Sequence, residues 1–277
     1  MTICIAAICD GSKTIVVAAD RMFTSPPPVN IEFESDESKI ERFVDGILVL
    51  PSGGTAIVTE VLDAARDALR GKHDSVSEVG DALRQAYAEV RARKAEEAIA
   101  IPMVGHDFLI AKKNGKATLP SYLQTQPGIY QGIVAQSLQF NLQTELLIAG
   151  IGRDGARIAA IDHPGMIFWL DKLGYGATGS GAIHAVSSLN LCGQTRSHDL
   201  FSTLFSVYAA KRSAEVAPGV GGKVTDLAVL STSKGGKIEI KDCTPRVLKE
   251  LETLWDARRN AEAPNLSGLR ESFEHVD

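Results

Sequence analysis

Metal-ligand and disulfide patterns are missing from this sequence. Its four cysteines, Cys4, Cys9, Cys192 and Cys243, are scattered, and its six histidines form no His-Glu-x-x-His or Cys-x-x-Cys spacing. A zinc site and a disulfide framework are therefore not expected. Cys4 and Cys9 lie in an apolar stretch, where a thiol usually serves as a small buried hydrophobe. Long apolar runs are missing too, since nothing approaches the ~20 residues needed to cross a bilayer. The apolar run Ile3 to Cys9 has no basic region before it and is ended by Asp10-Gly11, so it reads as neither signal peptide nor anchor. An excess of positive charge is also absent. Lys plus Arg is 29 against 34 Asp plus Glu, a net charge of −5, which argues against a nucleic-acid partner. The expectation is a soluble, cytoplasmic protein with reduced thiols and no membrane partner.

What is present is an ordinary globular balance, 44% hydrophobic and 23% charged over 277 residues. That excludes disordered, collagenous and coiled-coil classes. A chain of this length buries roughly 73% of the surface it exposes when unfolded, enough for a core without staples.

Thr2–Cys9 and Thr14–Ala19 are β-branched apolar runs around Asp10-Gly11-Ser12-Lys13, a strong hairpin signal. Both are nearly continuous rather than alternating, so both faces should be covered. A loop over 22–38, with Pro26-Pro27-Pro28, leads to a second strand pair, Lys39–Val44 and Ile47–Leu50. Amphipathic helices follow near 55–70, on Val58, Val61, Leu62, Ala65 and Leu69, and from a cap at Ser75 or Ser77 to about Glu97. Residues 98–128 read as irregular, with Pro102, Asn114-Gly115, Pro120 and Pro127-Gly128, then a helical piece over 129–141. Strands return at Glu145–Ile151, Arg157–Ile161 and Met166–Leu170. After Gly179-Ser180-Gly181 come helices to Leu191 and over 199–216, strands at Val224–Leu230 and Lys237–Lys241, a charged helix over 245–260, and a loose tail. Strands and helices alternate in blocks. That predicts an α+β fold with two antiparallel sheets between outer helix layers.

Two glycine-rich stretches test for phosphate binding. Gly219-Val220-Gly221-Gly222-Lys223-Val224-Thr225 lacks the first glycine and the final Ser or Thr of a phosphate loop, and a strand follows it instead of a helix. Gly176 to Gly181 has reversed dinucleotide spacing and reads as a strand-to-helix turn.

The N-terminus carries more. Residue 2 is small, so aminopeptidase removal of Met1 would leave Thr2 first. A terminal Thr combines a nucleophilic hydroxyl with an α-amine of pKa near ~8, which can act as its base. Asp20-Arg21 ends the second strand, Lys39 stands nineteen residues after Asp20, and Gly53 stands fourteen after Lys39, within Ser52-Gly53-Gly54. With Glu145–Gly150 and Ala177–Gly181, these motifs in order resemble the proteasome β-subunit family and its bacterial relatives HslV and Anbu. Met1–Ala7 and Ala214–Gly221 resemble, closer still, a set of bacterial proteasome-like proteins.

That resemblance implies an N-terminal nucleophile (Ntn) hydrolase fold, a four-layer αββα sandwich. Residues 1–243 would form one domain, with 98–143 as an insertion or altered helical region and 244–277 as a C-terminal helix and tail. It implies a threonine-type peptidase or amide hydrolase that uses no cofactor. Thr2 would be the nucleophile. Lys39 would sit beside its hydroxyl and acidify it, and Asp20 would hold Lys39. The Gly53 N–H would face the oxyanion, a donor typically worth about 2.7–4 kcal/mol. Ser180 would help fix the amine and a proton-carrying water. The substrate would be a peptide or protein, and the partners a homo-oligomeric ring assembled through apolar faces of the 55–97 helices, with an ATPase unfoldase.

The plain alternatives are a surface ion pair for Asp20–Lys39, worth about 0–1 kcal/mol, and a helix N-cap for Ser180. Active family members carry Asp-x-x-Ser-Gly-Gly before the strand at Val224–Leu230. Here Ala217 and Val220 occupy the Asp and Ser positions, and Glu215 or Asp226 would have to substitute. Rival functions are therefore a catalytically decayed structural subunit, an Ntn amidase acting on a small amide, and a nucleotide-binding regulator using 219–225.

Overall fold

The computed structural model describes residues 2–24, 31–69, 71, 75–104, 112–113, 116–117, 127–221, 224–233 and 235–261. Met1, Pro26-Pro27-Pro28, Asn114-Gly115, Pro120, Gly222-Lys223 and the tail beyond 261 lie outside them. The chain forms two units, Met1–Asp242 and Cys243–Asp277. The described part of the second is the helix Pro245–Ala261.

Two five-stranded sheets dominate the first unit, and every strand pair in them is antiparallel. The first strands are β1 (Cys4–Cys9), β2 (Thr14–Asp20), β3 (Met22–Thr24), β4 (Glu32–Glu34), β5 (Glu41–Val44) and β6 (Ile47–Gly53). Beyond the short pair β7 (Lys112–Lys113) and β8 (Lys116–Ala117) come β9 (Thr144–Gly152), β10 (Gly155–Asp162), β11 (Met166–Trp169), β12 (Tyr175–Thr178), β13 (Thr225–Thr232) and β14 (Ile238–Asp242). One sheet runs β12-β1-β2-β13-β14 and the other β11-β10-β9-β6-β5.

The unalternating apolar runs are explained by burial on two faces. Leu48, Leu50, Leu147 and Ala149 join Cys4, Ala6, Ile8, Val17 and Ala19 in one core that both sheets share. Their strand neighbours Ile47, Val49, Leu146 and Ile148 point the other way. They pack with Val58, Val61 and Leu62 of α1 (Thr55–Ala68) and Val79, Leu83, Tyr87 and Val90 of α2 (Val76–Ala95). These side chains of both helices are thus covered within the chain itself.

Departures from the expected elements are local. The segment read as a loop over 22–38 contains the paired strands β3 and β4. Lys39 precedes β5 instead of starting it. The second helix continues through a wide turn over Glu96–Ala100 into α3 (Ile101–Val104), which carries Pro102. Helix α4 spans Pro127–Gln139. Ser75 occupies the N-cap of α2, one of the two positions expected, but its side chain makes no capping bond. The Asp154 carboxylate accepts the N–H groups of Val76 at 2.9 Å and Ser77 at 3.0 Å. Strand β12 was not foreseen; it pairs with β1 in the register Cys4↔Thr178. Helices α5 (Ala182–Leu191) and α6 (Leu200–Ala214) pack on each other and lie over β1, β2 and β12.

Candidate active site

The hairpin register brings the two ends of the first motif together. Cys4 pairs with Ala19, so the chain just before β1 lies beside the last residue of β2. Ile3 and Asp20 complete the ladder: the Asp20 N–H donates to Ile3 O at 3.2 Å, and the Ile3 N–H donates to Asp20 Oδ1 at 3.2 Å. Thr2 therefore sits at the same sheet end as Asp20.

Lys39 reaches this point from the second strand pair. Its Nζ donates to Thr2 Oγ1 at 2.8 Å, to Asp20 Oδ1 at 2.9 Å and to the Met22 carbonyl. Those are the three donors of an ammonium, all used. Lys39 is 5% exposed, Thr2 5% and Asp20 0%. The surface-pair alternative is excluded by that burial. The Phe23 ring, on the unforeseen strand β3, lies 5.0 Å from Nζ.

Asp20 is as fully engaged as Lys39. Its second oxygen accepts the Gly221 N–H at 2.8 Å, giving a buried carboxylate with three donors. A charge taken from water needs such compensation. The neighbouring Arg21 forks onto Asp226 at 2.7 and 2.9 Å and donates to the Asp36 carbonyl at 2.6 Å. This braces the end of β2 against β13 and the segment leading to Lys39. The hydrogen bonds to Asp226 raise the Arg21 pKa against a smaller opposing effect of burial.

The turn before α5 holds Thr2 from the other side. Gly179 has φ +94°, and a Cβ there would lie 2.2 Å from the Thr2 carbonyl oxygen. Only glycine permits that approach. Ser180 Oγ donates to the same carbonyl at 3.5 Å. The N-cap of α5 is Gly181 and takes no side-chain bond, so Ser180 is not a helix cap. That is the contact Ser180 makes with Thr2 among the described hydrogen bonds.

Gly53 closes β6 with φ +111°, its Cα so near the Gln143 carbonyl that a Cβ would lie 2.2 Å from that oxygen. Among the described hydrogen bonds none joins Gly53 to Thr2. The connection runs through Glu145, whose Oε2 accepts the Gly179 N–H at 2.7 Å and stands 3.5 Å from Ser52 Oγ. Glu145 thereby ties the segment carrying Gly53 to the turn carrying Ser180.

Neither candidate substitute for the missing Asp and Ser reaches Thr2. Asp226 is taken by Arg21, and Glu215 by Lys211 at 2.8 Å and Arg212 at 3.3 Å. Ala217 and Val220 are buried at 6% and 8% exposure.

Sequence reasoning missed Lys211, which is fully buried on α6. Burial lowers its pKa, while Glu215 and then the Asp20 charge act in the opposite direction. The stripe Leu204, Val207, Lys211, Ala214 at helical spacing carried the signal. Cys4 lies beneath the site and donates to the Pro51 carbonyl at 3.5 Å. Burial pushes its pKa far up, against a smaller lowering by the Lys39 charge, so it stays a thiol and not a nucleophile.

Among the described residues no group of three or more His, Cys, Asp or Glu side chains is placed to hold a metal ion, and no helix is long and apolar enough to cross a membrane. The chain matches no family model and no curated protein.

Proposed function

We propose that this protein is a threonine-type peptidase or amide hydrolase of the proteasome-like Ntn class, with Thr2 as its nucleophile once Met1 is removed. The observation that carries the reading is the buried contact of Thr2 Oγ1 with Lys39 Nζ at 2.8 Å, backed by Asp20. In this reading the two sheets and their helices form the αββα sandwich of that class.

The chemistry follows from the groups present. The freed Thr2 amine takes the hydroxyl proton as Oγ1 attacks an amide carbon. The Lys39 ammonium, already a donor to Oγ1, favours the developing alkoxide. The Gly53 N–H meets the oxyanion of the tetrahedral intermediate. That intermediate collapses to an acyl ester on Thr2, and the amine passes its proton to the leaving nitrogen. A water deprotonated by the same amine then cleaves the ester, which restores Thr2 and releases an acid. Assembly into a homo-oligomeric ring served by an ATPase unfoldase belongs to this reading. It is checked by light scattering, where a monomeric mass at micromolar concentration rejects it.

A second reading has its own support. Ala217 and Val220 cannot orient an amine, and both candidate substitutes are engaged elsewhere, which favours a decayed structural subunit. One experiment separates the two. A chain starting at Thr2 is treated with an epoxyketone, which needs hydroxyl and amine on one residue. Intact mass shows one adduct per subunit in the hydrolase reading and none in the other. Chain retaining Met1 stays unmodified in both, because a peptide N–H accepts no proton.

A further inference from the structure

Beside Thr2 the two sheets part at their edges. Strand β12 edges the first sheet, and Gly176 and Thr178 pair with Ala6 and Cys4, residues of the core shared by both sheets. Paired residues project to the same side, so Gly176 and Thr178 face the gap between the sheets. Opposite them lie Asp162 of β10, Phe168 of β11 and Leu170. They enclose a cleft of about 430 Å³ that runs up to Gly179, the residue pressed on the Thr2 carbonyl. That volume lies within the roughly 300–1,000 Å³ of small-ligand pockets.

The lining is apolar apart from a few groups, and among the described residues its charged members are Glu145 and Asp162. Each has one carboxylate oxygen occupied, by the N–H of Gly179 and of His163 respectively. Glu145 Oε1 and Asp162 Oδ2 take no hydrogen bond among the described residues. Thr178 Oγ1, on a residue 5% exposed, has no partner beyond the neighbouring Cys4 thiol. Phe168 and Leu173 stand 46% and 48% exposed at the cleft. Two open carboxylate oxygens, a hydroxyl with only a weak thiol donor beside it and an uncovered apolar wall complement one kind of group: a cation on an aliphatic stem.

We propose that this cleft binds a basic side chain, Lys or Arg, of the peptide presented to Thr2. The stem packs on Leu170, Phe168 and Leu173 while the cationic head meets Asp162 and Glu145. The proposal rests on the peptidase reading for its substrate, but its binding step is independent of catalysis.

The test uses the full chain with Thr2→Ala, which binds without turnover, and fluorescent pentapeptides of alanine varied only at the centre. Anisotropy should show the Lys and Arg peptides binding at least about tenfold tighter than the norleucine peptide, and the Glu peptide weakest. Asp162→Asn should bring the Lys-to-norleucine ratio near one, and Asp162→Lys should turn the preference toward Glu. Asp162 is exposed, so both variants should fold, as circular dichroism will verify. Equal affinity for Lys and norleucine, or no peptide binding at all, overturns the proposal. An epoxyketone adduct without a basic preference leaves the peptidase reading standing and removes this one. A basic preference without an adduct does the reverse.

Discussion

The Lys39 ammonium stands 2.8 Å from the Thr2 hydroxyl oxygen and 2.9 Å from Asp20 Oδ1, with almost no water reaching any of the three. That burial reverses what an Asp–Lys pair would mean at a surface. Exposed pairs contribute about 0–1 kcal/mol. Removing one partner of a buried pair costs about 3–5 kcal/mol, because the other charge is stranded.

Lys39→Met should therefore lower stability by about 3–5 kcal/mol, leaving Asp20 with only the Ile3 and Gly221 N–H groups. Urea unfolding followed by circular dichroism measures this. A loss below about 1 kcal/mol would mean that the pair is solvated. In conditions where the variant is folded, the rate of epoxyketone addition should drop by about a hundredfold or more.

Gly179→Ala should be far more damaging than its small size suggests. The new methyl would meet the Thr2 carbonyl at 2.2 Å on a backbone at φ +94°. Gly11→Ala is the control, since its φ is +62° and nothing lies within 4 Å. Both variants carry backbone strain of about 1–3 kcal/mol. Only the first displaces Thr2, so only the first should abolish the adduct on a Thr2-starting chain. Equal adduct yields in the two would refute the role given to the turn.

Asp154→Ala should cost about 1 kcal/mol through loss of the cap on α2. Burial raises the Asp154 pKa, but the Ser77 hydroxyl and the Val76 and Ser77 N–H groups outweigh it and hold the carboxyl well below the usual range. A depressed carboxyl stabilises the fold fully above its unfolded value near ~4 and loses that contribution as pH falls further. Wild type and variant should thus differ at pH 7 and converge in strong acid, as thermal melts across pH will show.

Tyr87→Phe predicts the opposite, alkaline behaviour. Its buried hydroxyl donates to the Thr144 carbonyl at 2.8 Å. Burial, then the charges of Asp162 and Glu145, push its pKa up to about 12. An unfolded tyrosine ionises near ~10, so the phenol's contribution is complete below that pH and is lost as pH rises toward the folded value. Below pH 9 the variant should be less stable by about 1 kcal/mol. Between about pH 10 and 12 the gap should close. A gap independent of pH would contradict the buried phenol.

Much of the architecture was legible because it is written in local periodicity. Asp10-Gly11 between two apolar runs marks the first hairpin, and the 3.6-residue stripe of α1 ends within two residues of its reading, at Ala68. The order of strand and helix blocks is enough to argue for antiparallel sheets, and the family resemblance carried by the motifs around Thr2, Asp20, Lys39 and Gly53 is what nominates those residues. Tertiary structure alone decided the rest. Strand β12 has four residues, Tyr-Gly-Ala-Thr, with no periodicity to speak of, and it is a strand only because β1 offers it an open edge. The cap of α2 comes from Asp154, far along the chain, at a distance no local pattern encodes. That Lys39 meets Thr2, that Gly179 is pressed against the Thr2 carbonyl, and that Lys211 is buried follow from sheet register and helix packing. Local propensity depends on neighbours within a few residues, whereas a charge's environment depends on which distant surfaces exclude water from it.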